Sequence, residues 1–506
     1  MTPTTTPTVT TMTDNLATFL LGRAALRPDL RFGVVEDQVT LAEAVEVGRR
    51  IAGDLAAAGL GPGARIAVIG DTSTEYLLLW VGCQLAGVEP ALINPTYPDD
   101  LLGAMLGVLA PAAVATPDGE RRPAHPDGVP VLGFDGVRRG SLRRDGVDLP
   151  GAPAGELAGL ARGELDVAGY MHTSGTTGLP KFCAQSHRYY LRLGRLLADQ
   201  MALSPLDRVL APLPMFHINP LGYGFMGGLT GMSDVVAMRR FSPTGFWDMV
   251  RDEGITALVL HAPPGEILKR RTTAEDAAGH RVRTQFFADQ DFVDTFGIPV
   301  AMSVYGSTEA AGLTHVWQWR NGERCDEPEG MSHYAGMPRN DIEWTLSDDG
   351  EILVRDREPG VMFNGYLRDG VLDPARDEDG WFHTGDLGRV DAAGRLIFIE
   401  RFAESIRVKG EFVPIEHVER TFADVPGVTD LALWKRPGEL RDDEVVLLVV
   451  ADTVPVEAIA ERAETLPRFM RPSWVARVAE IPRDAGAGKV QRRRIDLDAV
   501  EEWVRC

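Results

Sequence analysis

Two short apolar runs, Arg65–Ile69 (RIAVI) and Glu89–Asn94 (EPALIN), bracket a longer segment, Thr74–Leu85, whose apolar residues fit a helix. A five-residue apolar run between turn residues is the signature of a strand buried on both faces, as parallel strands are. Parallel neighbours need a crossover, and a helix supplies it. The alternation therefore predicts a doubly wound α/β layer. Upstream, LATFLLGRAAL and the segment Ala42–Ala58 carry apolar residues at helical spacing, with Asp14 as the expected N-cap of the first. Tyr76–Val88 is the longest apolar stretch, contains Gln84, and is too short to span a bilayer, so it is read as a buried helix.

The rhythm breaks over residues 116–165, a Gly-, Pro- and charge-rich connector, and resumes after Tyr170. Between about residues 340 and 400, short strands alternate with Asp-Gly and Gly turns (SDDGEILVRD, DAAGRLIFIER), which predicts a β-rich subdomain. A compact piece follows, with a strand over Val445–Ala451 and a helix over Val456–Thr465. A chain of 506 residues exceeds one ordinary core. The expected fold is multidomain α/β: a disordered Thr- and Pro-rich tail (1–13), a large domain (14–402) and a small α+β domain (403–506). A net charge of −21 argues against nucleic acid and anionic membrane as partners. Cys83, Cys183, Cys325 and Cys506 have neither metal-ligand nor redox spacing. Free thiols and the absence of a signal-peptide pattern at the start predict a cytoplasmic setting.

Chemistry concentrates in Tyr170–Lys181 (YMHTSGTTGLPK). Gly175 and Gly178 let backbone N–H groups converge, the hydroxyls of Thr173, Ser174, Thr176 and Thr177 add donors, and Lys181 adds a compact positive charge. This is a phosphate-binding composition, but the spacing is not Gly-x4-Gly-Lys-Ser/Thr, so it is not a P-loop. A second candidate site is Tyr305-Gly306-Ser307-Thr308-Glu309, placed just beyond a strand-like run, Val300–Val304. Asp386 offers two oxygens to a pair of hydroxyls. Only five lysines occur in the chain, and Lys181, Lys409 and Lys489 fall in distinctive motifs. Met215, Phe216, His217, Tyr223, Phe225 and Met226 could wall an apolar pocket or simply fill a core.

The segment TSGTTGLPK resembles the signature loop of the adenylate-forming superfamily, which includes acyl-CoA synthetases, nonribosomal peptide adenylation domains and luciferases. Four more segments resemble that family's motifs in order: Tyr305–Glu309, Trp381–Asp386, Arg401 with ESIRVKGEFVPIEHVE, and Gly488–Arg492. The likeness runs from about residue 15 to 497. Leu213–His217 and Phe296-Gly-Ile-Pro look most like the carnitine/crotonobetaine-CoA ligase group. The resemblance implies an N-terminal AMP-binding domain and a mobile C-terminal lid. It also implies attack of a carboxylate on the α-phosphate of ATP with pyrophosphate release, followed by transfer to CoA. In that scheme loop 173–181 holds the β- and γ-phosphates and Glu309 binds Mg2+. Thr308 contacts the α-phosphate region, Tyr305 packs on adenine, and Asp386 and Arg401 meet the ribose. Thr176 and Lys489 serve the transition state, and His217, Phe216 and Gly306 line the acid pocket.

Departures from the pattern are Phe182 after the loop lysine, Ala403 at the hinge, Gln285–Asp289 in place of a Gly- and Ala-rich adenine wall, and a longer stretch between Pro482 and Lys489. They bear on the second half-reaction, not on the ATP-binding residues. The leading expectation is an acid–CoA ligase. A relative that activates nitrite to diazotise an aromatic amine, or one that loads a carrier protein, would use the same ATP motifs. A nonenzymatic nucleotide binder would have lost Lys489, Glu309 or Asp386, and all three are present. Lys489→Ala is predicted to abolish adenylate formation while ATP still binds, checked by AMP release alongside calorimetric titration with ATP.

Overall fold

The structure is a computed structural model that describes residues 15–506 apart from 174–178, 289, 324–332, 402–405, 410, 439–441, 484–489 and 491. The predicted strands at Arg65–Ile69 and Glu89–Ile93 lie side by side and parallel, crossed over by helix Thr74–Ala86, whose residues are almost all buried. Val167–Thr173 adds parallel on one flank, and Ala113–Thr116 and then Val131–Gly133 on the other. Antiparallel strands finish this sheet: Lys181–Ser186 beside Val167–Thr173, then Gly365–Arg368 beside Lys181–Ser186. Residues 116–165 are not wholly irregular. They supply strand Val131–Gly133 and a small hairpin, Arg143–Arg144 with Val147–Asp148, which pairs with it and carries the sheet to its edge.

A second sheet has its own parallel centre, formed by Arg31–Val34, Asp234–Ala237, Arg208–Ala211, Ala257–Val259, Thr284–Phe286 and Val300–Tyr305. The predicted β-rich region does not stand apart. Its strands Leu396–Arg401, Phe382–Val390, Glu351–Asp356 and Ile342–Leu346 continue this sheet in antiparallel fashion through His333–Pro338 and His315–Arg320. One hairpin of that region, Gly365–Arg368 with Val371–Asp373, joins the first sheet instead. Residues 340–400 thus stitch the two sheets together.

Helices Leu16–Leu26, Leu41–Ala57, Thr74–Ala86 and His187–Gln200 contribute to a core of Leu16, Phe19, Ile51, Leu77, Leu193, Leu197 and Phe225. The first helix is capped by Asn15, whose side chain accepts from the Thr18 N–H at 2.9 Å, one residue later than the expected Asp14. The second has a full capping box between Thr40 and Glu43.

Phe182, one of the departures, is explained by the pleat. Strand residues alternate faces, so Lys181 and Cys183 point one way while Phe182 and Ala184 point the other. Phe182 is fully buried in a cluster with Tyr170 and Leu367, on the face opposite Lys181. From residue 406 onward a ribbon, Ile406–Val408 with Glu411–Val413, precedes a sheet of Val428–Pro437, Asp443–Ala451, Trp474–Arg477 and Glu502–Arg505. Ile406, Val413, Val418 and Phe422 share one apolar cluster with Tyr97, Leu101 and Met105. No helix among the described residues is long and apolar enough to cross a membrane.

Because Phe182 is a packing residue, Phe182→Ala is expected to cost about 3 kcal/mol or more. Phe182→Leu is expected to cost less than about 1.5 kcal/mol. Thermal denaturation of the two variants checks the ranking, and ATP titration of the leucine variant is expected to match the parent protein.

Candidate active site

The candidate residues gather beyond the C-terminal ends of the parallel strands of both sheets, where open α/β sheets place ligands. Thr173 closes strand Val167–Thr173 and faces Lys181 across the antiparallel pair. Its Oγ1 donates to Glu309 Oε1 at 3.0 Å. Glu309, from the segment after strand Val300–Tyr305, therefore reaches from one sheet to the other. Tyr366 Oη donates to the same carboxylate oxygen at 2.9 Å, and Lys181 Nζ lies 4.8 Å above the Tyr366 ring. Cys183 Sγ is 3.6 Å from Thr173 Oγ1, and burial pushes its thiol pKa well up, so it stays neutral. Glu309 is buried and accepts from these neutral hydroxyls. A buried carboxylate surrounded by neutral hydroxyls suits a hard divalent cation. Ser174, Gly175, Thr176, Thr177 and Gly178 lie outside the described residues, as does Lys489.

The next group is built around Tyr305, whose Oη donates to Asp386 Oδ2 at 2.7 Å. One face of its ring meets Phe398, with centroids 5.9 Å apart and planes at 27°. Asp386 is buried and pairs across strands with Arg401, whose side chain is not described. Gly306 has no room for a side chain, because an added Cβ would stand 2.1 Å from the Gly312 carbonyl oxygen. Ser307 accepts the N–H groups of Ala310 and Gly312 through its carbonyl and thereby closes the turn. The Thr308 carbonyl accepts from Tyr189 Oη at 3.0 Å.

The departure at Gln285–Asp289 replaces small residues with rings. Phe286 packs on Tyr223 at 4.8 Å, and Tyr223 Oη donates to the Gly312 carbonyl at 3.0 Å. Phe287 adopts φ +52° and stacks on His261 at 5.2 Å. A bulky residue in the left-handed region is rare and marks a strained position.

On the opposite side Phe216 and His217 follow strand Arg208–Ala211, their rings 4.7 Å apart. Here lie residues that sequence reasoning missed. His217 Nε2 stands 3.3 Å from Glu411 Oε1, and Asn94 Nδ2 donates to Glu411 Oε2 at 3.0 Å. The Asn94 N–H donates to His172 Nε2 at 3.4 Å, so the His172 proton sits on Nδ1, 3.3 Å from Tyr97 Oη. Burial pushes the His172 pKa down to about 3, with a smaller contribution from His217, so the ring is neutral. Glu411 directly follows the hinge-motif glycine, and His172 directly precedes Thr173. Adjacency to those motifs is the signal that could have found them.

A family description, AMP-binding enzyme, matches residues 22–366. The chain is 28% identical over 468 residues to 4-coumarate–CoA ligase 3 of Oryza sativa subsp. japonica, covering 85% of this chain and 81% of that one. It is 29% identical over 522 residues to sulfoacetate–CoA ligase of Cupriavidus necator, covering 95% and 97%. Among solved structures, a double mutant of o-succinylbenzoate CoA synthetase from Bacillus subtilis, bound with a product analogue, superposes with a TM-score of 0.78 at 22% identity, covering 94% of this chain and 97% of that one. The same enzyme with its acyl-adenylate intermediate gives 0.65 at the same identity and coverage. These likenesses do not single out the carnitine-type group.

The buried histidines predict an acid limb in stability. Burial holds His172 and His315 down to about 3 and His187 to about 4. As pH falls below 6.5 the unfolded chain takes up these protons first. The stability is therefore present above that pH and lost below it, by about 1.4 kcal/mol per pH unit for each group. His172→Gln is expected to flatten the fall in Tm between pH 6.5 and 5.

Proposed function

The chain belongs to the AMP-binding enzyme family, and on that premise we propose that it is an ATP-dependent acid–CoA ligase acting on a small organic acid. The observation that carries the reading is the meeting of two half-sites. Thr173, Lys181, Glu309, Tyr305 and Asp386 converge from both sheets at the nucleotide side, and His217 with Phe216 faces Glu411 of the C-terminal piece at the other. In the first half-reaction an oxygen of the acid attacks the α-phosphorus of ATP, forming an acyl-adenylate as pyrophosphate leaves. Such chemistry is largely positioning and charge neutralisation. Lys181, with the loop of residues 173–178, holds the β- and γ-phosphates, Asp386 and Arg401 hold the ribose, and Lys489 neutralises charge at the reacting centre. When bound, Mg2+ supplies charge neutralisation at the phosphates, held by Glu309.

In the second half-reaction a thiol sulfur attacks the acyl carbon, the bond to AMP breaks, and the thioester leaves. The seating of ribbon 406–413 on His217 and Asn94 supports an orientation suited to this step. The higher TM-score against the product-analogue complex than against the adenylate complex of one enzyme points the same way. We assign the two steps to two orientations of a domain beginning near residue 403 against the domain of residues 14–402. Free thiols at Cys83, Cys183 and Cys506 fit a reducing, cytoplasmic setting. The named relatives act on acids as different as 4-coumarate and sulfoacetate, so the reading stops at the class of acid.

A screen of organic acids for AMP and pyrophosphate release, with and without CoA, tests the reading, with nitrite plus aromatic amines as a parallel arm. CoA-dependent thioester formation is expected. Turnover with nitrite that needs no CoA would overturn it. Glu411→Ala is expected to lower thioester formation about tenfold or more while leaving hydroxylamine-trapped adenylate formation within about twofold.

A further inference from the structure

Tyr366 belongs to the one hairpin of the β-rich region that crosses to the first sheet, where it pairs with Cys183. Lys181 and Cys183 are two residues apart on one strand, so Lys181, Cys183 and Tyr366 share a face. That face looks toward Glu309, which arrives from the other sheet. Tyr366 thus stands between the cation and the carboxylate and touches both. Its hydroxyl donates to Glu309 Oε1 at 2.9 Å and its ring lies 4.8 Å beneath Lys181 Nζ. The ring is itself braced edge-to-face by Phe363 at 4.9 Å and is buried. Thr173 donates to the same Glu309 oxygen, so two donors from two strands fix the carboxylate's rotation. Without the ring between them, the ammonium and the buried carboxylate would be drawn into a pair, and each would be quenched for its own ligand.

We propose that Tyr366 is a positioning residue. Its hydroxyl aims Glu309, and its ring face parks Lys181, so that the two opposite charges stay apart until phosphates and a divalent cation arrive. The inference rests on the assignment of Lys181 to phosphate and Glu309 to the cation, and it adds a third residue that couples them. Neither contact makes Tyr366 a catalytic residue, since it touches no reacting atom. A tyrosine is suited to the task because one end is a hydroxyl donor and the face is a weak, reversible seat for a cation.

The test uses the full-length protein and needs no acid substrate. Binding of α,β-methylene ATP is measured by calorimetry without Mg2+ and across a Mg2+ titration, for the parent, Tyr366→Phe, Tyr366→Leu and Glu309→Gln proteins. Tyr366→Phe keeps the ring and loses the donor. Its metal-free binding is expected to stay within about twofold of the parent, while the Mg2+ concentration for half-saturation rises about tenfold or more. Tyr366→Leu also loses the seat for Lys181, and metal-free binding is expected to weaken by a further two- to fivefold, roughly. An unchanged Mg2+ half-saturation in Tyr366→Phe overturns the proposal, as does equal metal-free binding in the phenylalanine and leucine variants. If Glu309→Gln also leaves the Mg2+ dependence untouched, the cation assignment itself falls. If Glu309→Gln shifts it and Tyr366→Phe does not, only the role given to Tyr366 falls.

Discussion

Glu309 reaches across the seam between the two large sheets and accepts hydrogen bonds from Thr173 of one strand and Tyr366 of another. A buried carboxylate without a counter-ion is costly, and hydroxyl donors offset only part of that cost. The arrangement persists because the surrounding strands determine it. Thr173 is the last residue of a parallel strand, Tyr366 is held by pairing with Cys183, and Glu309 sits within the turn between Gly306 and Gly312. The carboxylate is thereby held at the seam between the two sheets. Lys181, Tyr305 and Asp386 are arranged around the same seam.

The second dependency is electrostatic and lies between the large domain and the C-terminal piece. Glu411 uses both oxygens, one on Asn94 and one toward His217, while His417 meets Asp100 at 3.3 Å. Beneath these polar contacts Tyr97, Leu101 and Met105 share an apolar cluster with Ile406, Val413 and Phe422. Polar contacts over an apolar patch are the make-up common to interfaces between parts of one chain.

What was legible in the sequence follows the range of the forces involved. Arg65–Ile69 and Thr74–Ala86 emerge where expected because burial on both faces leaves a local apolar pattern. The motif residues at 173, 181, 305, 309 and 386 do converge: Thr173 and Tyr305 close parallel strands, Glu309 follows one, Lys181 opens the strand paired with Thr173, and Asp386 bonds Tyr305 from mid-strand. The contacts of Glu411 could not be read, because Asn94 lies 317 positions away. Nor could the role of Tyr366, because nothing local tells a hairpin which of two sheets to join. Phe182 departs from the family pattern, and the pleat accounts for it by placing its ring in the apolar cluster with Tyr170 and Leu367. Asp14 and Asn15 are both competent caps, and a one-residue difference between them lies within the usual fraying of helix ends.

The covalent path between the two halves carries a further meaning. The last strand of the large sheet ends at Arg401 and the first strand of the C-terminal ribbon begins at Ile406. Five chain steps can span at most roughly 18 Å. The C-terminal piece is therefore leashed: its first strand cannot stand farther than that from the end of the large sheet. The leash starts at the very residue that pairs with Asp386. The root of the leash is thus fixed by the same strand pairing that places Asp386 beside Tyr305.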